Sequence, residues 1–316
     1  IKGNFMKLIA SIFLFLTAVY GVTFEEATIN FNKKNYIDAY EQYSELALND
    51  DANAQYNIAL MNYKGLGVNK NLKLAFFWYE KSALNGNPAA QNNLAHMYHM
   101  GEEVKKDATI AEKWYKLSAE AGYPIAQLNL AMLYDLSSSE EKVKQAFFWY
   151  EKASAQGVII AQNNLAKMYY MGRGTDKVDK SKALYWYTKA AEALNTIAQA
   201  NLAMMYLLSD GVEENIPKAI ELLTKSAQQD NLSAIIKLAD IYGKGSVVTQ
   251  DYEKSFYWYN RAAQLDSTMA IYHVGLYYYH GYGVKKDEDK GITYIRQAKV
   301  QGYKSADNFF KLNNLQ

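Results

Sequence analysis

The sequence predicts an all-α solenoid of stacked antiparallel helix pairs. Three observations predict it. All five tryptophans fall in one column: Trp78, Trp114, Trp149, Trp186 and Trp258, spaced 36, 35, 37 and 72 residues apart. A second column of Ala54, Ala90, Ala126, Ala161, Ala198, Ala234 and Ala270 keeps the same period. Between the two columns lie glycine loops and an Asn or Asp seven residues before the tryptophan position. Self-similarity at such a period marks a repeat architecture, in which one helix pair cannot bury its apolar face alone and neighbours must stack.

Residues 1–21 read as a signal peptide with upstream residues. Ile1 to Phe5 precede Met6, and Lys7 leads into Leu8 to Tyr20, a run without charge. That run is short for a membrane span and of the right length for a secretory h-region, with cleavage expected after Gly21. An uncleaved anchor or a buried first helix is the alternative. No Cys follows, so a lipoprotein is excluded. The expected location is periplasmic or secreted, with no integral membrane segment after cleavage.

Residues 22–50 form an N-terminal cap. Ala27, Phe31, Tyr36, Ala39, Tyr43 and Ala47 fall at helical spacing. Seven units then run 51–86, 87–122, 123–157, 158–194, 195–230, 231–266 and 267–302, and 303–316 supplies a C-terminal capping helix. In each unit the leading Ala is followed four residues on by Ile58, Leu94, Leu130, Leu165, Leu202, Leu238 or Val274, and then by Ala or, once, Gly275. In six units a Tyr three residues later completes one side of a first helix, the A helix. Glycines such as Gly65, Gly172 and Gly281 can take the left-handed turn that ends it. Asn71, Asp107, Asp179, Asn215, Asp251 and Asp287 are suitable N-caps for the second, or B, helix. Lys142 breaks that column in the third unit, where Ser137-Ser138-Ser139 replaces the glycines. The B helix carries Ala75, Trp78, Tyr79, Ala83 and their equivalents, with the tryptophans expected in the core and worth about 3–5 kcal/mol each on truncation.

The unit resembles the Sel-one-like repeat family, a relative of the tetratricopeptide repeats. Tyr278-Tyr279-His280-Gly281-Tyr282-Gly283-Val284 carries the loop half of the motif, and Asp179 through Ala191, with Lys182-Ala183 and Trp186-Tyr187, carries the second half. The resemblance covers residues 51–316. Ala stands where the family has Gly after Leu in six of the seven units, and Leu222-Leu223 replaces Trp-Tyr in the fifth. The resemblance implies a right-handed superhelix with A helices on its concave face, and the adaptor and scaffold work of the family. Bacterial secreted members are linked to envelope assembly, signalling and host interaction.

Composition excludes several functions. A charge of +1, falling to 32 basic against 33 acidic residues once Lys2 and Lys7 are removed, and only Arg173, Arg261 and Arg296 argue against nucleic acid. The absence of Cys removes disulfides, thiolate zinc and Cys nucleophiles. No hydrolase elbow, His-Glu-x-x-His or phosphate loop is present. No cofactor is expected.

With the leading Ala as position zero, positions two, six and ten point away from the core. They are rich in Leu and Met, strongest in units three to five. The candidate groove comprises Leu128, Asn129, Met132, Leu136, Asn164, Met171, Asn201, Met204 and Leu208. Two readings stand: an apolar groove for a partner peptide or helix, with Met giving adaptable contacts, or packing between units. The Asn column at position three, which includes Asn57, Asn93, Asn129, Asn164 and Asn201, either binds peptide amides or bonds within the stack, the second being favoured. His96 and His99, with Glu102 and Glu103, lack a third fixed metal ligand. The preferred function is a non-enzymatic protein-interaction scaffold. A β-lactam- or peptidoglycan-related binding protein or hydrolase and a host-directed effector are alternatives. Partner identity and oligomeric state are open.

Overall fold

The computed structural model describes residues 22–313, so the expected signal peptide lies outside the described residues. Seventeen α-helices and no strands occur among them. The first pair is α1 (Phe24–Asn32) and α2 (Tyr36–Leu48), and α17 (Lys304–Leu312) comes last. The A helices are α3 (Ala52–Lys64), α5 (Pro88–Met100), α7 (Pro124–Asp135), α9 (Ile159–Met171), α11 (Thr196–Leu208), α13 (Leu232–Lys244) and α15 (Thr268–His280). The B helices are α4 (Leu72–Leu84), α6 (Ala108–Glu120), α8 (Glu140–Ala155), α10 (Lys180–Glu192), α12 (Ile216–Gln228), α14 (Tyr252–Gln264) and α16 (Glu288–Val300). The described residues divide into two compact units, one up to Ala153 and one from Ser154, each a stack of such pairs.

Local sequence sets the helix ends. The six predicted B-helix caps all act: each accepts a hydrogen bond from a backbone N–H two or three residues on, as Asn71 does from Leu74 at 3.0 Å. Helix α8 starts further from its tryptophan than the other B helices do, and Ser139 Oγ accepts the Lys142 N–H at 3.4 Å in place of the missing cap. Asp51, Asn87, Asn195, Asn231 and Ser267 cap A helices in the same way, a column the sequence reading passed over. Gly65, Gly101, Gly172, Gly245 and Gly281 end A helices in the left-handed conformation. The second loop glycine has a different cause. A Cβ on Gly67 would lie 2.5 Å from the Tyr36 carbonyl oxygen, so only glycine lets this loop close on the start of α2.

The core corrects one expectation. The buried aromatic column of the B helices is tyrosine: Tyr79, Tyr115, Tyr150, Tyr187 and Tyr259 are all 4% exposed or less. Trp78, Trp114, Trp149 and Trp186 are only half-buried, and Trp258 alone is buried. Adjacent helical residues point about 100° apart. With the tyrosine directed into the pair, the tryptophan falls at the junction between neighbouring pairs. Trp78 accordingly packs against both the cluster of Ala27, Tyr43, Ile58 and Met61 and that of Ala59, Tyr79, Leu94 and Met97. In the fifth repeat Leu223 fills the tyrosine place at 1% exposure.

Candidate binding surface

Two side-chain ladders tie the A helices into their stacks. Gln55, Gln91, Gln127, Gln162 and Gln199 each donate through Nε2 to the carbonyl oxygen eight residues earlier, at 3.1–3.3 Å, satisfying the end of the preceding B helix (of α2 for Gln55). The second ladder is asparagine. In the first unit Asn92 Nδ2 donates to Asn93 Oδ1 at 3.0 Å, and Asn129 Nδ2 donates to Asn92 Oδ1 at 2.9 Å. In the second unit Asn163 donates to Asn164 at 3.1 Å and Asn201 to Asn163 at 3.5 Å. Inter-helix bonding is therefore what the column does at these places.

The predicted groove residues divide between the two units. In the first, Met132 and Leu136 are exposed and Asn129 is half-buried. Leu128 is a correction: at 6% exposure it belongs to the core. Position two lies only about 60° round the helix from the buried small residue at position five, on the flank of the packed side. Asn92 and Asn163 are buried at the same position. In the second unit Met171 and Leu208 are exposed, whereas Asn164, Asn201 and Met204 are half-buried. Tyr170, Tyr187, Asn201, Met204 and Met205 line a small cavity of about 110 Å³ there.

The sequence reading missed Ile125, Ile160 and Ile197, one residue before the leading alanine, which are 43%, 52% and 55% exposed. Positions minus one, three, six and ten fall on one side of an A helix, opposite the core. On α7 and its C-cap they read Ile125, Asn129, Met132 and Leu136, and on α11 Ile197, Asn201, Met204 and Leu208. The signal was available, since all three isoleucines keep the repeat period.

On this A-helix face of the first unit lies a cavity of about 390 Å³. Its floor includes the buried Tyr79 and Met97, and its walls carry Leu60, Tyr63, Lys64, Asn92, Asn93, His96, Ile125 and Asn129. It lies in the first three repeats and shares only Asn129 with the predicted groove. Burial raises the Tyr79 hydroxyl well above its ordinary range, so it stays protonated and available as a donor.

The Sel1 repeat pattern matches residues 52–87, 88–123, 124–158, 159–193, 196–231, 232–267 and 268–303. The chain belongs to the Sel1 repeat family. Its fold is similar to that of c5321, a protective antigen of uropathogenic Escherichia coli with the same repeat fold, at TM-score 0.73 and 30% identity. The match covers 85% of this chain and 58% of that one, so this chain spans a little over half of that protein's length. A Sel1 repeat protein from Oxalobacter formigenes is similar at TM-score 0.71 and 26% identity, covering 87% of this chain and 80% of that one. No curated protein matches the chain.

Several other polar groups are occupied by the Sel1 stack itself. The Tyr63 hydroxyl donates to Glu102 Oε2 at 3.0 Å, 39 residues on, and Tyr170 donates to Asp210, which Lys180 also engages. Hydrogen bonds from Lys180 and Tyr170 hold the Asp210 carboxyl below its ordinary range. His99 is pushed low by burial, with Nδ1 enclosed and unpartnered, and Lys106 and His96 act in the same direction. Among the described residues no three His, Asp or Glu side chains converge on a metal position. Near the far end His273 replaces asparagine at position three. It stacks on Tyr259 at 4.5 Å and 8°, and Tyr259 donates to Asp240.

Proposed function

We propose that this chain is a non-enzymatic scaffold whose exposed A-helix face holds a partner peptide or helix. Sel1 repeat proteins act in general as protein–protein interaction scaffolds. The observation that supports this reading is the exposed apolar stripe on the A helices of each unit. In the first, Met132 is 45% exposed and Leu136 87%, with Ile125 nearby in the sequence; in the second, Met171 is 57% and Leu208 63%, with Ile160 and Ile197. Folding gains nothing from leaving such residues in water, whereas a partner would gain from covering them. The asparagine ladders fix the spacing of the helices that present the stripe.

The test is capture from a bacterial envelope extract, comparing the chain with a Met132→Glu, Met204→Glu double variant. Circular dichroism establishes that both are folded. A protein set retained by the chain and lost by the folded variant supports the reading; a set retained equally by both contradicts it. If the variant unfolds, these methionines serve the stack instead.

The envelope is the compartment we propose, from the uncharged run of Leu8 to Tyr20 after Lys7. Expression of the full chain, fractionation and N-terminal sequencing test it. A periplasmic or secreted product beginning at Val22 is expected, and a cytoplasmic product retaining Met6 contradicts it.

A further inference from the structure

The cavity formed by α3, α5 and α7 in the first unit has chemistry that narrows its occupant. Resting on the reading that the A-helix face binds protein, we infer that this cavity takes an internal, extended peptide segment bearing an acidic side chain beside an apolar one.

Charge is the first argument. The lining carries Lys64 and His96 and no carboxylate. Both are exposed. A third cation, Lys70, sits 5.7 Å from the centre of the Tyr63 ring. Glu102, which is not in the lining, accepts the Tyr63 hydroxyl through Oε2 at 3.0 Å. A carboxylate entering here meets N–H donors, whereas a basic side chain meets like charge.

The second argument is the arrangement of apolar and amide groups. Leu60 lies one helical turn before Lys64 on α3, and Ile125 opens α7 at 43% exposure. One turn after Ile125 on α7 comes Asn129, whose Nδ2 donates to Asn92 Oδ1 at 2.9 Å. That bond uses one N–H and leaves the other N–H and the side-chain oxygen, the pair that matches a peptide unit. Cation, amide and apolar groups therefore follow one another from the C-terminal end of α3 to the N-terminal end of α7. Lys64 and Ile125 are both exposed, so the chain can continue past each end, which favours an internal segment over a free terminus.

The experiment is selection of random peptides displayed within a loop, both ends covalently continued, on the immobilised full chain and on two variants, the double variant Lys64→Glu, His96→Glu and the single variant Ile125→Asp. All three altered positions are exposed, and thermal melting verifies folding. The inference expects peptides with Asp or Glu next to Leu, Ile, Met or Phe. It expects them to bind the charge-reversed variant on the order of tenfold more weakly, and that variant to select Lys or Arg instead. Ile125→Asp should weaken the same peptides.

Apolar peptides without charge preference, lost on Ile125→Asp, would overturn the acidic occupant and leave the A-helix reading standing. Enrichment only from a parallel library with free C-termini would overturn the internal segment. Peptides indifferent to all three altered positions, or no enrichment from either library, would remove this inference. A folded Met132→Glu, Met204→Glu variant that still loses its captured proteins would then show that the broader reading survives.

Discussion

The Asn129 side-chain amide donates to the Asn92 side-chain oxygen at 2.9 Å, joining α7 to α5. Asn92 in turn donates to Asn93, which lies beside the Tyr56 and Tyr79 hydroxyls. A chain of amides thus runs from a core tyrosine to the rim of the cavity. It fixes the distance between neighbouring A helices and hence the shape of the surface they present.

Asn92 is 5% exposed and occupies the middle of that chain. Asn92→Ala leaves the Asn129 donor and the Asn93 acceptor without their partner and should cost about 1–3 kcal/mol. Urea denaturation measures the loss. Asn57→Ala, outside the chain of amides, should cost less.

Tyr79→Ala should destabilise more than Trp78→Ala. The tyrosine is 1% exposed, so its truncation leaves a cavity costing about 3–5 kcal/mol. The half-buried tryptophan gives up less contact. Equal losses in thermal or chemical unfolding would contradict this ordering.

Gly67→Ala and Gly86→Ala separate strain from collision. Both residues have positive φ, +70° and +85°, but a Cβ on Gly86 meets nothing within 4 Å. Gly86→Ala should cost only the left-handed penalty of about 1–2 kcal/mol. Gly67→Ala adds the collision with Tyr36 and should loosen α1 and α2, which hydrogen exchange of those helices would detect.

Burial holds the His273 imidazole below its ordinary value of 6.5; the Asp240 carboxylate opposes that shift and Lys244 adds to it. The unfolded chain therefore takes up the proton first as pH falls. The stability contributed by neutral His273 is complete above about pH 6.5 and is lost progressively below it, toward the lower folded value. Unfolding followed from about pH 7 to pH 5 should show this loss, and His273→Asn, the residue most other repeats carry there, should flatten the slope. His99 is depressed in the same direction and leaves a residual slope.

The repeat, the helix pairs and the B-helix caps were legible because each has a local cause: a period, a glycine turn, an Asx side chain three residues before an N–H. Placement of the tryptophans was not. Their rarity makes the column conspicuous, but burial follows from which of two adjacent aromatics faces the pair, and that is Tyr79 rather than Trp78. Leu128 misled for a similar reason, since on an isolated helical wheel position two looks open, and how far the packed side extends round the helix is set only by the stack. The Gln55 to Gln199 ladder keeps the period and was readable, yet its role depends on the end of the preceding helix lying alongside. The cavity edged by Lys64 and Ile125 needs three A helices in place, and no single repeat contains it.

Site-specific photo-cross-linking tests the A-helix face most directly. A benzophenone amino acid is placed at Met132, on that face, or at Phe148 on the B helix, 45% and 47% exposed respectively. Irradiation in an envelope extract should attach protein to the Met132 probe and leave the Phe148 probe free. Attachment through Phe148 with none through Met132 would contradict binding on the A-helix face.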